Sequence, residues 1–506
     1  MRPDRRRAAV TLVCLGLLSA CHPRQPLATP TPVARPTPTP SPRLVELRGE
    51  IDTILNAPAL GAGTWGVLIR SLGTDETLYE RDARKLLMPA SNMKIVTLAA
   101  AAERLGWDFT YETRLLRLGP VNAGSLEGDL VVAGSGDPSI ANGGASPEGV
   151  FRTWAEQLSA QGIRRIAGRI IGDDNAFDDD GLGAGWMWDD LDTPYSAAIG
   201  ALQLNEDATL VTIAPGSHEG ALSVVALSTE GSSLTLRNHV VTTAPTVSAR
   251  VSLRRLAGST VLDVSGTIPL GSATIERPVA VDNPTVYFVT ELKKALVANG
   301  IEVSGDAVDI DALDPAPHVQ DAATMASYRS PPLRVLAERL MKISQNQYAE
   351  SLLKTLGVQD GSATFNGGLR VVRSLLEAWG VPPSDMVLAD GSGLSRYNLI
   401  TPSALVTILT HVDRDARLKD PFLASLPVAG IAGSTLSDRL QGTAAAGLVQ
   451  AKTGSMTNVR SISGYLRTRG GEPVVFSIVA NNYGIPSADV DRAADAILLR
   501  VAELTR

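Results

Sequence analysis

What most constrains this chain is the change of texture along it. Residues 44–111 and 309–506 mix strand-like apolar runs with helical periodicity, whereas 112–308 breaks into short β-branched runs separated by Gly, Asp and Asn. In the first part, 45–55 reads as a helix, 64–69 with Leu78 as a strand pair around Gly73-Thr74-Asp75, and a further helix follows Pro89. The middle block carries Leu130-Val131-Val132, Arg169-Ile170-Ile171 and 250–256 as strands, then a helix over 285–299 that stops at Gly300. Helical patterns follow at 332–341, 346–356, 367–379 and 402–412, before strands at 462–467 and 474–479 and a last helix over 488–504. Two ends of one texture around a middle of another predict an α/β (α+β) domain interrupted by a large β-rich insertion. At 506 residues the chain is also longer than one hydrophobic core usually serves.

Residues 1–43 stand apart from that pattern. Arg2, Arg5, Arg6 and Arg7 precede an apolar run, 8–18, that is too short to span a bilayer and reads as a secretory signal. The run ends in Leu18-Ser19-Ala20-Cys21, which resembles the bacterial lipobox. That resemblance implies a signal peptide over 1–21 and lipid attachment at Cys21. Residues 22–43 are rich in Pro and Thr, favour extended polyproline conformations, and read as a linker. The expectation is an exported protein, in the periplasm or on an extracytoplasmic face, held to a membrane by its N-terminal lipid.

Composition removes several classes of function. A net charge of −7 argues against nucleic acid as a partner, because phosphate binding needs a basic surface. His22, His218, His239, His318 and His411 are scattered without metal-ligand spacing, and Asp178-Asp179-Asp180 lacks the spacing of a calcium loop. No metal and no cofactor are expected. Cys14 and Cys21 are the only cysteines, and loss of the signal would leave no intramolecular disulfide.

Three short motifs carry chemistry. Ser91-Asn92-Met93-Lys94 precedes the apolar run 95–100, and i,i+3 spacing on a helix puts the Ser91 hydroxyl and the Lys94 amine on one face. A lysine buried there loses basicity and can take the serine proton, while the helix N-terminus favours a developing oxyanion. Ser344-Gln345-Asn346 falls between two helical patterns, and Lys452-Thr453-Gly454 lies just before the C-terminal strands. Alone, S-x-x-K is expected by chance about once or twice in such a chain, and K-T-G on the order of 0.1 times. Order and context therefore carry more weight than any one motif.

The set, in that order, resembles the signature of penicillin-binding proteins and serine β-lactamases. Over nearly the whole length beyond the leader, the chain resembles the class C low-molecular-mass penicillin-binding proteins, the D-Ala-D-Ala carboxypeptidase/endopeptidase family. Ser91 and Ser344 lie much farther apart than in a compact β-lactamase, and that family carries large inserted domains there. Further local resemblances are Gly128-Asp129-Leu130, 134–138, Gly172-Asp173, Gly185-Trp186, Leu202-Gln203-Leu204-Asn205 and 390–395. Two departures stand out: Gln345 where the family often has Asp, and an acidic continuation, Glu206-Asp207, after Asn205.

The resemblance implies a serine carboxypeptidase and/or endopeptidase acting on peptidoglycan stem peptides through an acyl-enzyme, with β-lactams as covalent inhibitors. Ser91 is then the nucleophile, Lys94 its base, and Ser344 the group that passes a proton to the leaving amine. Asn346 would hold the peptide amide and support Lys94, Lys452 would supply positive charge, and Thr453 would bind the substrate carboxylate. Gly454 and Ser455 complete that substrate-binding segment, with the N–H groups of Ser91 and Ser455 as the oxyanion hole. The residues alone leave room for a β-lactamase or esterase of the same fold, or for a non-catalytic peptidoglycan-binding lipoprotein. The glycine-rich 390–395 reads equally as a turn, and Trp186, Trp188 and Tyr195 as packing or as ligand contacts.

Overall fold

Apolar runs from opposite ends of the chain become neighbours in one sheet. The structure, a computed structural model, describes residues 41–141, 145–320 and 322–505; Cys21 and the expected signal over 1–21 lie outside the described residues. Strands β1 (Thr64–Ser71), β2 (Thr77–Arg81), β3 (Val449–Met456), β4 (Val459–Arg467) and β5 (Pro473–Asn481) are ordered β2-β1-β5-β4-β3, every neighbouring pair antiparallel. β1 pairs with β5 from Thr64 opposite Asn481 to Ser71 opposite Val474.

Both faces of the sheet are covered, which is why its strands are apolar with little alternation. On one side Val67, Ile69, Phe476 and Ile478 pack with Leu44, Leu47 and Ile51 of α1 (Pro42–Leu55) and with Ile497 and Leu498 of the C-terminal helix Ser487–Ala502. On the other side Leu68, Tyr465, Val475 and Val479 join a larger helical core. That core is built from α2 (Met93–Leu105), α3 (Leu333–Lys342), α4 (Asn346–Gln359), α5 (Phe365–Ala378) and α6 (Pro402–Arg414).

Two of these helices are withdrawn from water all round. In α2 every residue from Met93 to Ala102 is buried, Lys94 included. In α4 the same holds from Asn346 to Gly357, although this stretch carries Gln347, Glu350, Ser351 and Lys354. A polar helix at the centre of a fold must find a partner for each polar group. Those partners are what organise the site.

Among the described residues, the middle of the chain forms four further sheets, one of them small and built from Glu302–Val303, Arg165–Ile166, Ser125–Leu126 and Val121–Asn122. Ala307–Asp309, Ile170–Asp173, Asp129–Ala133, Glu112–Leu118 and Ala323–Arg329 lie side by side in that order, packed against helices Pro147–Ala160 and Pro284–Ala298 through Phe151, Trp154 and Phe288. The last of these strands lies beyond residue 308, where the sequence texture changes. Two three-stranded sheets between residues 208 and 280 share the small core of Val211, Ile213, Val240, Leu262, Val264, Ile268 and Val279.

One placement corrects the sequence reading. Lys452-Thr453-Gly454 is inside the edge strand β3 and not ahead of the strands. Half of an edge strand's environment is not sheet, so Ala451-Lys452-Thr453-Gly454-Ser455-Met456 lacks the apolar pattern that marks β4 and β5.

Candidate active site

Pro89 leads into a 3-10 turn, Ala90–Asn92, on which Ser91 stands at the entrance to α2. Ala90 is held at φ 46°, a left-handed conformation that costs a non-glycine residue energy and needs support from its surroundings. The sheet provides it. Ser461 Oγ donates to the Pro89 carbonyl at 2.6 Å, Asn92 Nδ2 donates to the Lys452 carbonyl at 2.9 Å, and Asn481 Oδ1 accepts the Met88 N–H at 2.8 Å. The nucleophile turn is thereby tied to β3, β4 and β5.

Lys94 Nζ lies 3.0 Å from Ser91 Oγ, 2.7 Å from Asn346 Oδ1 and 2.9 Å from the Ser392 carbonyl. Burial pushes this ammonium down to about 7, against the charges of Glu350 and Asp390, which favour it. The amide oxygen and the carbonyl can only accept. A neutral Lys94 must spend its two N–H bonds on them, which leaves its lone pair facing the Ser91 hydroxyl proton. In its neutral state this lysine is therefore aimed to take that proton.

Ser344 sits at the α3–α4 junction with φ 67°, a second left-handed non-glycine residue at the site. Its Oγ accepts from Lys452 Nζ at 2.9 Å, and Lys452 also donates to the Thr453 carbonyl at 2.8 Å. Burial and the nearby Lys94 charge hold the Lys452 ammonium well below the usual lysine range. Gln345, the departure from the family pattern, caps α4 by accepting the Asn346 N–H at 2.8 Å. Asn346 faces two ways, with its Nδ2 donating to the Tyr195 carbonyl at 2.7 Å.

Gly454 serves close approach. A Cβ there would lie 2.1 Å from Ser461 Oγ, 2.7 Å from the Pro89 carbonyl and 3.0 Å from the Ser91 nitrogen, so only glycine lets β3 pass this near the nucleophile. Thr453 Oγ1 donates to Thr435 Oγ1 at 2.7 Å. Ser91, Ser344, Asn346 and Ser455 line a cavity of about 520 Å3, with Met187, Asp189, Asp190, Tyr195, Leu394, Arg396, Met456 and Thr457 on its other walls. The structure therefore brings all three motifs together. Lys94 and Lys452 stand behind this surface.

Two features escaped the sequence reading. The stretch 390–398 is more than a turn: Asp390 accepts the Gly393 and Ser395 N–H groups at 2.7 and 2.6 Å, the Asn398 side-chain amide at 2.6 Å and Trp186 Nε1 at 3.0 Å. It presents the Ser392 carbonyl to Lys94. Glu350, one turn along α4 from Asn346, is wholly buried behind that loop. The available signal was Glu350 at i+4 from a motif residue, which puts both on one face of a helix.

The inserted segment supplies a wall of the cavity and is bonded to α4 along its length. Gln347 Nε2 donates to the Pro194 carbonyl at 2.5 Å, Gln203 Nε2 to Ser351 Oγ at 2.6 Å, and Lys354 Nζ to the Asp180 carbonyl at 2.8 Å. Of the aromatics singled out above, Trp186 packs on the core and bonds Asp390, Trp188 is half exposed under Arg254, and Tyr195 lines the cavity with its hydroxyl donating to Asp190. The acidic Asn205-Glu206-Asp207 run takes left-handed φ at all three residues; Glu206 pairs with Arg339 of α3, and burial holds the Asp207 carboxyl well above its usual range.

A serine hydroxyl 3.0 Å from a buried lysine amine, beside a second serine hydrogen-bonded to a second buried lysine, is the arrangement that acyl transfer through a serine ester requires. The model of the D-Ala-D-Ala carboxypeptidase 3 (S13) family matches residues 47–504, and the chain belongs to that family. A D-alanyl-D-alanine carboxypeptidase of Actinomadura sp. (strain R39) is 37% identical over 473 residues, covering 91% of this chain and 85% of its own length. In fold, the chain is similar to the crystal structure of penicillin binding protein 4 from Haemophilus influenzae, with a TM-score of 0.77 at 23% identity over 91% of this chain and 99% of that one. The same protein complexed with a novel β-lactam gives a TM-score of 0.70 at 24% identity, covering 88% and 97%.

Proposed function

We propose that this chain is a serine D-alanyl-D-alanine carboxypeptidase of peptidoglycan stem peptides, and that β-lactams acylate the same serine. The observation that carries the reading is the Lys94 amine, 3.0 Å from Ser91 Oγ, with both its other neighbours acceptors only. Ser91 Oγ passes its proton to Lys94 and bonds to the carbonyl carbon between the two D-alanines. The tetrahedral oxyanion forms between the Ser91 N–H at the entrance to α2 and the Ser455 N–H of β3. As the C–N bond breaks, Ser344 Oγ gives the leaving amine its proton and is resupplied from Lys452, 2.9 Å away. Water then attacks the Ser91 ester; its proton restores Lys452, Ser91 Oγ recovers its own from Lys94 as the ester C–O bond breaks, and the shortened peptide is freed. Thr453 binds the terminal carboxylate, and the substrate backbone lies along the edge of β3, where strand addition is the natural mode.

A fast β-lactamase needs a group to activate the deacylating water. The buried carboxylate whose charge acts most on the lysine, Glu350, already accepts two backbone N–H groups, at 2.9 and 2.7 Å, which favours a long-lived penicilloyl ester over rapid turnover. The intact nucleophile and lysine also speak against a purely non-catalytic scaffold. The chain acts outside the cytoplasm, tethered through a lipid on Cys21 and the Pro/Thr-rich residues 22–43; no helix among the described residues is long and apolar enough to cross a membrane. Its catalytic part combines 44–111 with 309–506 around the insertion 112–308, a junction that the strand Ala323–Arg329 carries further along the chain.

The test uses the mature protein with a fluorescent penicillin and, separately, a disaccharide pentapeptide. Stable label that disappears in Ser91→Ala, together with release of D-alanine, is the expected result. Label that persists in Ser91→Ala removes that serine from its role, and neither label nor release sinks the reading.

A further inference from the structure

Helix α4 carries Asn346, Glu350 and Lys354 on successive turns, all buried. Asn346 bonds Lys94, and Lys354 holds the carbonyls of Asp178 and Asp180. Glu350 does neither. Its Oε2 accepts the Gly391 N–H at 2.9 Å and its Oε1 the Ser392 N–H at 2.7 Å. The carbonyls of these two residues face the other way: Gly391 O accepts from Thr97 Oγ1 at 2.7 Å, and Ser392 O accepts from Lys94 Nζ at 2.9 Å. Two residues of loop are thus clamped between α4 and α2. Gly391 allows the close fit, since a Cβ there would lie 2.9 Å from the Ala349 carbonyl and 3.2 Å from Glu350 Oε2.

We propose that Glu350 is a positioning residue for acylation: it fixes the loop backbone leading into the Ser392 carbonyl that turns the Lys94 lone pair onto Ser91, and it sets one negative charge behind that lysine. The inference rests on Lys94 being the proton acceptor. An acceptor held at 2.9 Å from Nζ can orient the amine only if the peptide bearing it cannot tilt. That peptide, Ser392–Gly393, is held at its own N–H by Asp390 at 2.7 Å, and the two N–H bonds to Glu350 fix the two peptides that lead into it.

The charges around this pair are few and of both signs. Lys94 faces Glu350 and Asp390, and the Lys452 ammonium lies close enough to feel it. Glu350 faces Asp390 and the Ser392 and Gly391 dipoles; burial pushes its carboxyl up, Asp390 adds to the rise, and the loop N–H groups oppose it. Both its oxygens accept N–H groups, which favours the ionised form beside the charged lysine, and the two groups titrate as a pair. Ionised Glu350 stabilises the lysine's charged form, so removing that charge makes Lys94 easier to deprotonate.

The experiment measures the second-order rate of acylation by the fluorescent penicillin from pH 5 to 10, on the mature protein and on Glu350→Gln and Glu350→Asp, with melting curves for each. Glu350→Gln removes the charge and turns an amide N–H against one loop N–H; its acid limb should move down by about one pH unit and its plateau fall about tenfold. Glu350→Asp keeps the charge but loses reach, so its plateau should fall with the limb in place, and it answers the question if the Gln variant does not fold. Equal losses in both variants with neither limb moved, or plateaus within about twofold of the unaltered protein, overturn the proposal. An unaltered protein that takes no label overturns the reading of the site on which it rests, a result separate from any behaviour of Glu350.

Discussion

Among the described residues, the two larger polar cavities are of similar size, and only one is organised for chemistry. The larger, of about 660 Å3, is lined by Asp174, Asp178, Asp179, Asp180, Asp282, Asp309 and Asp311. The active-site cavity, about 520 Å3, has fewer charges on its walls. Its decisive charges are behind the wall: Lys94, Glu350, Asp390 and Lys452 are almost wholly withdrawn from solvent, and each is held by named hydrogen bonds. In the acidic cavity Asp179, Asp180 and Asp311 remain exposed, and like charge crowds like; the Asp311 carboxyl is held above its usual range by burial and by Asp179 and Asp309. Volume and formal charge do not make a site. Desolvated groups of opposite sign, each fixed by partners from a different part of the chain, give the electrostatic leverage that catalysis needs.

The comparison breaks most visibly at Lys94. Lys94→Ala should lower acylation by penicillin on the order of 1,000-fold, a loss in keeping with removal of a general base. In the unaltered protein, acylation should rise with pH through about 7, because the lysine must shed its proton, and that rise should be missing from the variant. A variant within tenfold of the unaltered rate would mean that the buried lysine is structural, like Lys354.

Gly454→Ala tests the fit of β3 against the nucleophile. Its Cβ would meet Ser461 Oγ at 2.1 Å, the group that anchors Pro89, so Ser91 has to move or the strand has to retreat. Release of D-alanine should fall by up to about 100-fold, the cost of a misplacement near 1 Å. The readouts are kcat/KM with a pentapeptide and the melting temperature, and unchanged kinetics would show that the strand yields.

The smallest effect belongs to the acidic cavity. Asp311→Asn should leave acylation within about twofold and stability within about 0.5 kcal/mol, as for substitutions away from a hydrogen-bonded network. Any stability change has a definite sign. A carboxyl whose folded-state pKa is raised favours the fold at acid pH and loses that contribution as pH climbs, so the variant should gain at pH 8 and not at pH 4. A large loss of activity here would erase the distinction between the two cavities.

Much of this site was legible in the residues. Ser91 and Lys94 were readable as a pair within one helical turn, and Ser344, Asn346, Lys452 and Thr453 through the order of the three motifs and its resemblance to the penicillin-binding signature. The helices following Pro89 and Asn346, and strands β4 and β5, were readable from their apolar patterns. Glu350 was not, because its task is to accept two backbone N–H groups from a loop some forty residues away in sequence, and backbone groups are the same at every position. β3 was missed as a strand for the opposite reason: its side chains are chosen for the cavity, which hides the pattern of the sheet.

By itself, the sequence determined the order of its three motifs and the α/β character of both ends around a β-rich middle, and through the resemblance those motifs carry it pointed to the chemistry. The motifs and the elements follow from side-chain type and local periodicity, which any short window contains. Only the tertiary structure decided that Lys94 sits with two acceptors and one hydroxyl, that residues 178–206 of the insertion form a wall bonded to α4, and that a glutamate with no place in any motif stands behind the lysine. Those outcomes depend on which distant backbone carbonyls and N–H groups meet when the polar face of a buried helix must be satisfied, and no local pattern carries that information.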